Sequence, residues 1–327
     1  MKSSGIGGQA VLEGIMMKNH DEYAVAVRNA DHDIVKIKKQ YKGLGSKCKV
    51  FRLPFVRGIF SFIDSMILGM KTLTFSADIY GENEEEEPSK VEAWLADKLG
   101  ERFEKLIMGL TIAFSIVLAV VIFMMLPVFL SSLLKPILPS LFWQSLLEGL
   151  IRIGIFLGYV SLISLMKDIQ RVYMYHGAEH KCINCIEHGM PLTVENVRKS
   201  SRFHKRCGTS FLIFVVLISV ILFIIIQVDS LWMRMITRVL LIPVIAGISY
   251  EVLRMAGNSD HIVINLISKP GLWVQRITTK EPTDDMIEVA IAAVEEVFDW
   301  KKYLREEFQY EESETEPDNS RKFEETD

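Results

Sequence analysis

The chain has 327 residues, 50% of them hydrophobic and 24% charged, with a formal net charge of −4. The length suits two modest domains or one membrane domain with soluble flanks. A near-balanced, slightly acidic total points away from a polyanionic partner, so no nucleic acid is expected.

In chain order, residues 1–54 read as a β-rich segment. No basic-then-apolar leader opens it, so no signal peptide is expected. "EYAVAVRNADHDIVKIKKQY" alternates apolar and polar residues on both sides of Asn29–Asp33, the pattern of a hairpin with a polar turn. Lys36, Lys38, Lys39, Lys42, Lys47, Lys49 and Arg52 form a basic stripe, read either as a solvated strand face or as a surface for anionic headgroups. Residues 55–80 predict a helix that Arg57, Asp64 and Lys71 interrupt, which suits an interfacial or re-entrant segment better than a full span. Residues 81–104 read as an acidic linker and an amphipathic helix capped by Ser89.

Four apolar runs follow, at about 107–134, 142–166, 211–228 and 231–250. Roughly twenty apolar residues span a bilayer as a helix, because backbone polar groups find no other partners there. The expected fold is therefore mainly α: a polytopic four-helix membrane domain (105–252) with a β-rich N-terminal segment and a C-terminal cytoplasmic helix. Glu148 and Arg152, one turn apart in the second run, read as a buried ion pair. The loop 167–210 carries eight Lys and Arg residues, and the opposite loops almost none beyond Lys135. The positive-inside rule places that loop and both termini in the cytoplasm, with Arg234 and Arg238 snorkelling at the far side. Region 253–310 is expected to contain a helix starting after Thr283, and 311–327 a disordered acidic tail.

The chemistry concentrates in "YHGAEHKCINCIEHG", Tyr175 to Gly189. His176-Gly-Ala-Glu179-His180 fits H-x-x-E-H, which puts two imidazoles on one helix face. A glutamate beside the second histidine is placed to act as general base on water at a divalent metal, with zinc the first choice. Inverted zincins use this arrangement with a third ligand from a later helix, and Glu251 is one candidate for it. A competing set, Cys182, Cys185, His204 and Cys207, has the spacing of a closed structural zinc site. A mixed site using His176, His180 and His204 or Cys207 is a third arrangement. His20 and His32 read as turn residues, His188 as a loop residue and His261 as a cap-region residue.

"GGQAVLEGIMMK", "PFVRG", "YHGAEHK", "LTVENVRKSSRFHKRCGTSF", "GISYEVLRMAG" and "TTKEP" followed by "IEVAIAAV" resemble the YqhQ-like family of bacterial membrane proteins of unknown function. The resemblance runs over about residues 5–300. The family is labelled as predicted metal-dependent enzymes, which implies a metal at His176, Glu179, His180, His204 and Cys207 and supplies no substrate. The leading expectation is a hydrolase in the bacterial inner membrane, with Glu179 as base, working at the cytoplasmic face on a membrane peptide or lipid headgroup. A scaffold with a structural metal is the alternative, and a transporter is third.

Overall fold

The computed structural model describes residues 2–80, 101–258 and 261–310. The acidic linker, the Ser89 cap and the C-terminal tail lie outside the described residues. Strands β1 (Gly7–Val11), β2 (Gly14–Asn19), β3 (Glu22–Arg28) and β4 (Ile34–Gln40) form an antiparallel meander in the order β1-β2-β3-β4. The expected hairpin is β3–β4, closed at Asn29–Asp33, where the Asn29 side chain accepts from the Asp33 N–H.

The sheet is covered on both faces. Ile15, Met17, Ala24 and Ala26 face one core, with Tyr175, Ala178, Ile183, Met286, Ile287 and Ala290. Met16, Val25 and Val27 face the other, with Leu68 and the half-buried Phe75 and Ile79. The alternation expected across Glu22–Arg28 is therefore not what β3 shows: "YAVAV" is apolar throughout, as "GIMM" is in β2, because neither face is left for polar residues.

The helices are α1 (Val56–Tyr80), α2 (Glu101–Val120), α3 (Leu126–Leu133), α4 (Leu141–Ile163), α5 (Lys167–Glu187), α6 (Val194–Lys199), α7 (Gly208–Ile225), α8 (Leu231–Leu240), α9 (Ile242–Asn258), α10 (Ile262–Thr278), α11 (Asp284–Val297) and α12 (Trp300–Phe308). A π-helical turn, Val121–Met125, joins α2 to α3. Four helical stretches are long and apolar enough to cross a membrane: Val56–Tyr80, Leu106–Leu133, Leu141–Ile163 and Gly208–Ile225. The run expected to span at 231–250 is two helices, α8 and α9, that are apolar enough together and meet at a 44° bend. Pro243 lies in the first turn of α9, where its missing N–H is tolerated but continuation of the preceding helix is not.

Arg234 and Arg238 do not snorkel. Both are buried: Arg238 donates to Glu148 (Nε–Oε1 3.1 Å) and Arg234 to Gln144 (Nη2–Oε1 3.1 Å). Arg152 also donates to Glu148, at 2.9 Å, as its spacing predicts. The C-terminal helix is two helices, because the Asp299 side chain caps a new one by accepting from the Lys302 N–H. Thr283 stands at the N-cap of α11 without a side-chain capping bond.

Candidate metal centre

The site forms where apolar helices enter the sheet-bearing body. Helix α4 ends three residues before α5 begins, Cys207 is the N-cap of α7, and Thr278 ends α10. Helix α5 carries His176, Glu179 and His180 and is apolar on its far side, where it covers the sheet. His176 Nε2 lies 3.2 Å from Cys207 Sγ, and the His176 and His180 ring centroids are 4.4 Å apart. Donor atoms of His176, His180 and Cys207 all lie within 4.8 Å of one another.

Both imidazoles are oriented by backbone carbonyls. His176 Nδ1 donates to Thr278 O at 2.9 Å, and His180 Nδ1 donates to Arg202 O at 2.7 Å. A carbonyl only accepts, so each Nδ1 carries a proton, and Nε2 is the nitrogen left to face a metal. Metal-binding histidines are held in this way. Cys207 Sγ accepts from the Thr209 N–H at the start of α7, a position that favours the thiolate. Burial pushes the Cys207 thiol up, but His176 and His180 more than reverse this and bring it well below the usual range. Burial also works against a charged His176, yet Cys207, Glu179 and the Thr278 carbonyl lift it to about 9.

Two nitrogens and a sulfur from separate segments match the donor set of a zinc-type ion, and three protein ligands leave a tetrahedral ion one further position. A pocket of about 90 Å³ lies beside the group, lined by Gly8, His176, Glu179, His180, His204 and Cys207. The Glu179 carboxylate is buried and accepts the Gly8 N–H at 3.1 Å. Burial raises its proton affinity, against the opposing pull of His180 and His176.

The remaining expected ligands lie apart from this group. Glu251, on α9, has its carboxylate taken by Arg57 (Nε–Oε1 2.8 Å) and the Phe55 N–H. His204 is beside His180, ring centroids 5.7 Å apart, but its Nε2 faces Glu187 Oε2 at 3.5 Å. Burial lowers its basicity. Cys182 and Cys185 are buried in the core on the opposite face of α5, and burial pushes both thiols up. The closed Cys182–Cys185–His204–Cys207 arrangement is thus not assembled. His188 and His261 cap helices, and His20 and His32 sit in turns with positive φ.

Several supporting residues had no signature in the sequence. Gly177 lets α5 approach Lys280, whose N–H donates to Tyr173 O. Lys181 and Asn184 donate to the carbonyls of Arg198, Ser200, Ser201 and Phe203, fixing the segment that holds His180. Gln275 accepts the His204 N–H and donates to the His204 carbonyl. Glu187 is fully buried and accepts from Ser4, through both N–H and hydroxyl, and from Arg206. A periodic H-x-x-E-H could flag the ligands, but not the backbone carbonyls that aim them.

No solved structure matches the chain. It is 39% identical over 293 residues to the uncharacterized protein YqhQ of Bacillus subtilis, covering 89% of this chain and 91% of the relative. The family model described as "protein of unknown function (DUF1385)" matches residues 53–300, and the chain belongs to that family.

Proposed function

We propose that this protein is a metal-dependent hydrolase embedded in the bacterial inner membrane, with its site at the cytoplasmic face. The observation that carries the reading is the convergence of His176 Nε2, His180 Nε2 and Cys207 Sγ, each imidazole aimed by a carbonyl, beside a pocket that also receives Glu179. A divalent ion, zinc by its donor set, would supply Lewis-acid polarisation and acidify water. The chain's own residues supply the rest. Cys207 and the two histidines would hold the ion, and Gly8 fixes the Glu179 carboxylate in the pocket. Glu179, buried and with raised proton affinity, takes a proton from water and returns it to the leaving group. The site sits at the ends of apolar helices, which suits a membrane peptide or a lipid headgroup arriving laterally.

The second reading is a scaffold with a structural metal. It is favoured by the Gly8–Glu179 bond, which ties β1 to α5 and gives Glu179 a purely structural use. Elemental analysis of detergent-purified protein separates the two from a metal-free one. About one ion per chain is expected in wild type and in Glu179→Gln, and loss in His176→Ala/His180→Ala and in Cys207→Ala. Hydrolysis of a membrane-peptide or lipid panel by wild type, abolished in Glu179→Gln with metal retained, identifies the enzyme. No ion after reconstitution with zinc, iron and manganese would overturn both metal readings.

A further inference from the structure

Helix α1 is long and apolar enough to be a span, yet its packing forbids that use. Leu68, Thr72 and Ser76 are buried against the sheet, the Ser76 hydroxyl accepts the Leu12 N–H at 3.2 Å, and Gln9 donates to Ser65 O. A helix tied over three turns to a sheet rich in lysine cannot stand in hydrocarbon. Its other face is a stripe of exposed Phe62, Ile63, Met66, Ile67, Met70 and Leu73. Each of these six side chains stays more than a third exposed.

Its surroundings indicate what covers the stripe. Phe62 contacts Phe211 in the first turn of α7, ring centroids 5.4 Å apart, and Gly58 packs on Tyr250 of α9. The stripe is therefore level with the point where the apolar helices start. One edge of it is basic: Lys71 and Lys18 lie over the Tyr41 ring, and Lys39 over Phe75. The loop leading into α1 adds Lys47, Lys49 and Arg52 beside exposed Val50, Leu53 and Phe55. Asp64 pins that loop by accepting from Tyr41 Oη and the Leu44 N–H, both at 3.0 Å. Apolar side chains flanked by lysines at the mouth of a membrane domain complement an anionic bilayer surface.

We infer that α1 and the 41–55 loop form an in-plane anchor that seats the sheet on anionic lipid headgroups. The inference rests on the membrane reading of the apolar helices but not on the metal. It fixes the height of the site, because β1, which carries Gly8, is tied to α1 through Gln9 and Leu12.

Cys48 is exposed, and the other three cysteines are buried, so a polarity-sensitive fluorophore can be placed there on the full chain. In nanodiscs of phosphatidylcholine containing phosphatidylglycerol, its emission should shift to the blue relative to phosphatidylcholine alone. High salt and Lys47→Gln/Lys49→Gln/Arg52→Gln should each abolish the shift. Identical, salt-insensitive emission in both lipids would overturn the anionic-lipid assignment. The same fluorophore on Cys48→Ser/Met70→Cys reports depth by spin-labelled lipids. Quenching from shallow positions is expected, and strongest quenching at the bilayer centre would make α1 a span and sink the proposal. Metal content, read in parallel, tests the hydrolase reading separately.

Discussion

A Cβ atom on Gly177 would lie 2.0 Å from the carbonyl oxygen of Lys280. Alanine in a helix interior is ordinarily about 1 kcal/mol better than glycine. Here the obstacle is backbone rather than a flexible side-chain end, so the sign reverses. Gly177→Ala should push α5 off the 278–280 segment, lengthening the His176–Thr278 contact. A loss of about 1–3 kcal/mol is expected, as for overpacked cores. Thermal unfolding in detergent measures it, and unchanged or raised stability would refute the close approach. The same variant should bind metal more weakly, because His176 loses the carbonyl that aims it.

Glu187 offers a pH signature. Burial works to raise its carboxyl pKa, but His204, Arg206 and Ser4 outweigh it and hold it at about 2, against an ordinary 4.5. A carboxylate depressed on folding stabilises fully above its unfolded value and ceases to as pH falls through the folded one. The stabilisation is of order 3 kcal/mol, from about 1.4 kcal/mol per unit, and disappears between about pH 4.5 and 2. Wild type should therefore lose thermal stability as pH falls through the upper part of this window. Glu187→Gln should start lower at neutral pH and vary less. Parallel curves for the two proteins would show that Glu187 is not the titrating group.

The H-x-x-E-H spacing made the pair of histidines legible, because i and i+4 share a helix face whatever the fold. That Cys207 rather than Glu251 stands beside the two imidazoles was not legible. Both follow from the chain's return to the same end of the apolar helices, and only the packing shows that Arg57 occupies Glu251. Helix α10 escaped notice because Pro270 and Gly271 interrupt its sequence, yet Gly271 is there to let the helix approach Ser210 of α7. The outward reading of Arg234 and Arg238 failed because a lone arginine near a helix end snorkels, whereas these have Glu148 and Gln144 within reach across the bundle. The β3–β4 hairpin was legible from its turn, but the second covered face was not, because "EYAVAVR" reads as alternating.

Cys182 and Cys185 test the competing zinc arrangement directly. Both are buried as thiols, and Cys185 donates to the carbonyls of Met190 and Pro191. Cys182→Ala should keep the full metal complement and cost roughly 1 kcal/mol, the toll of a small buried side chain. Elemental analysis beside a thermal melt checks both parts. Metal lost from Cys182→Ala while the fold survives would move the ion to the cysteine pair.

The last test concerns Glu148, fully buried, with Arg152 on Oε1, Arg238 on both oxygens and the Phe223 ring beneath both guanidinium groups, at 4.6 and 3.9 Å. One carboxylate thus offsets two cations, and Arg152 recruits further acceptors, the Phe123 carbonyl in the π-helical turn and the Ser219 hydroxyl. Removing one member of a buried charge pair typically costs about 3–5 kcal/mol, because the partner is stranded without water. Here two partners are stranded, so Glu148→Gln should reach at least that range. Phe223→Leu keeps the ion pairs and loses only the ring face, about 1–2 kcal/mol. Ranking the two variants by the temperature at which half the folded protein is lost in detergent decides the matter. A Glu148→Gln variant as stable as Phe223→Leu would mean that backbone carbonyls alone carry the arginines, and that the carboxylate is dispensable to the fold.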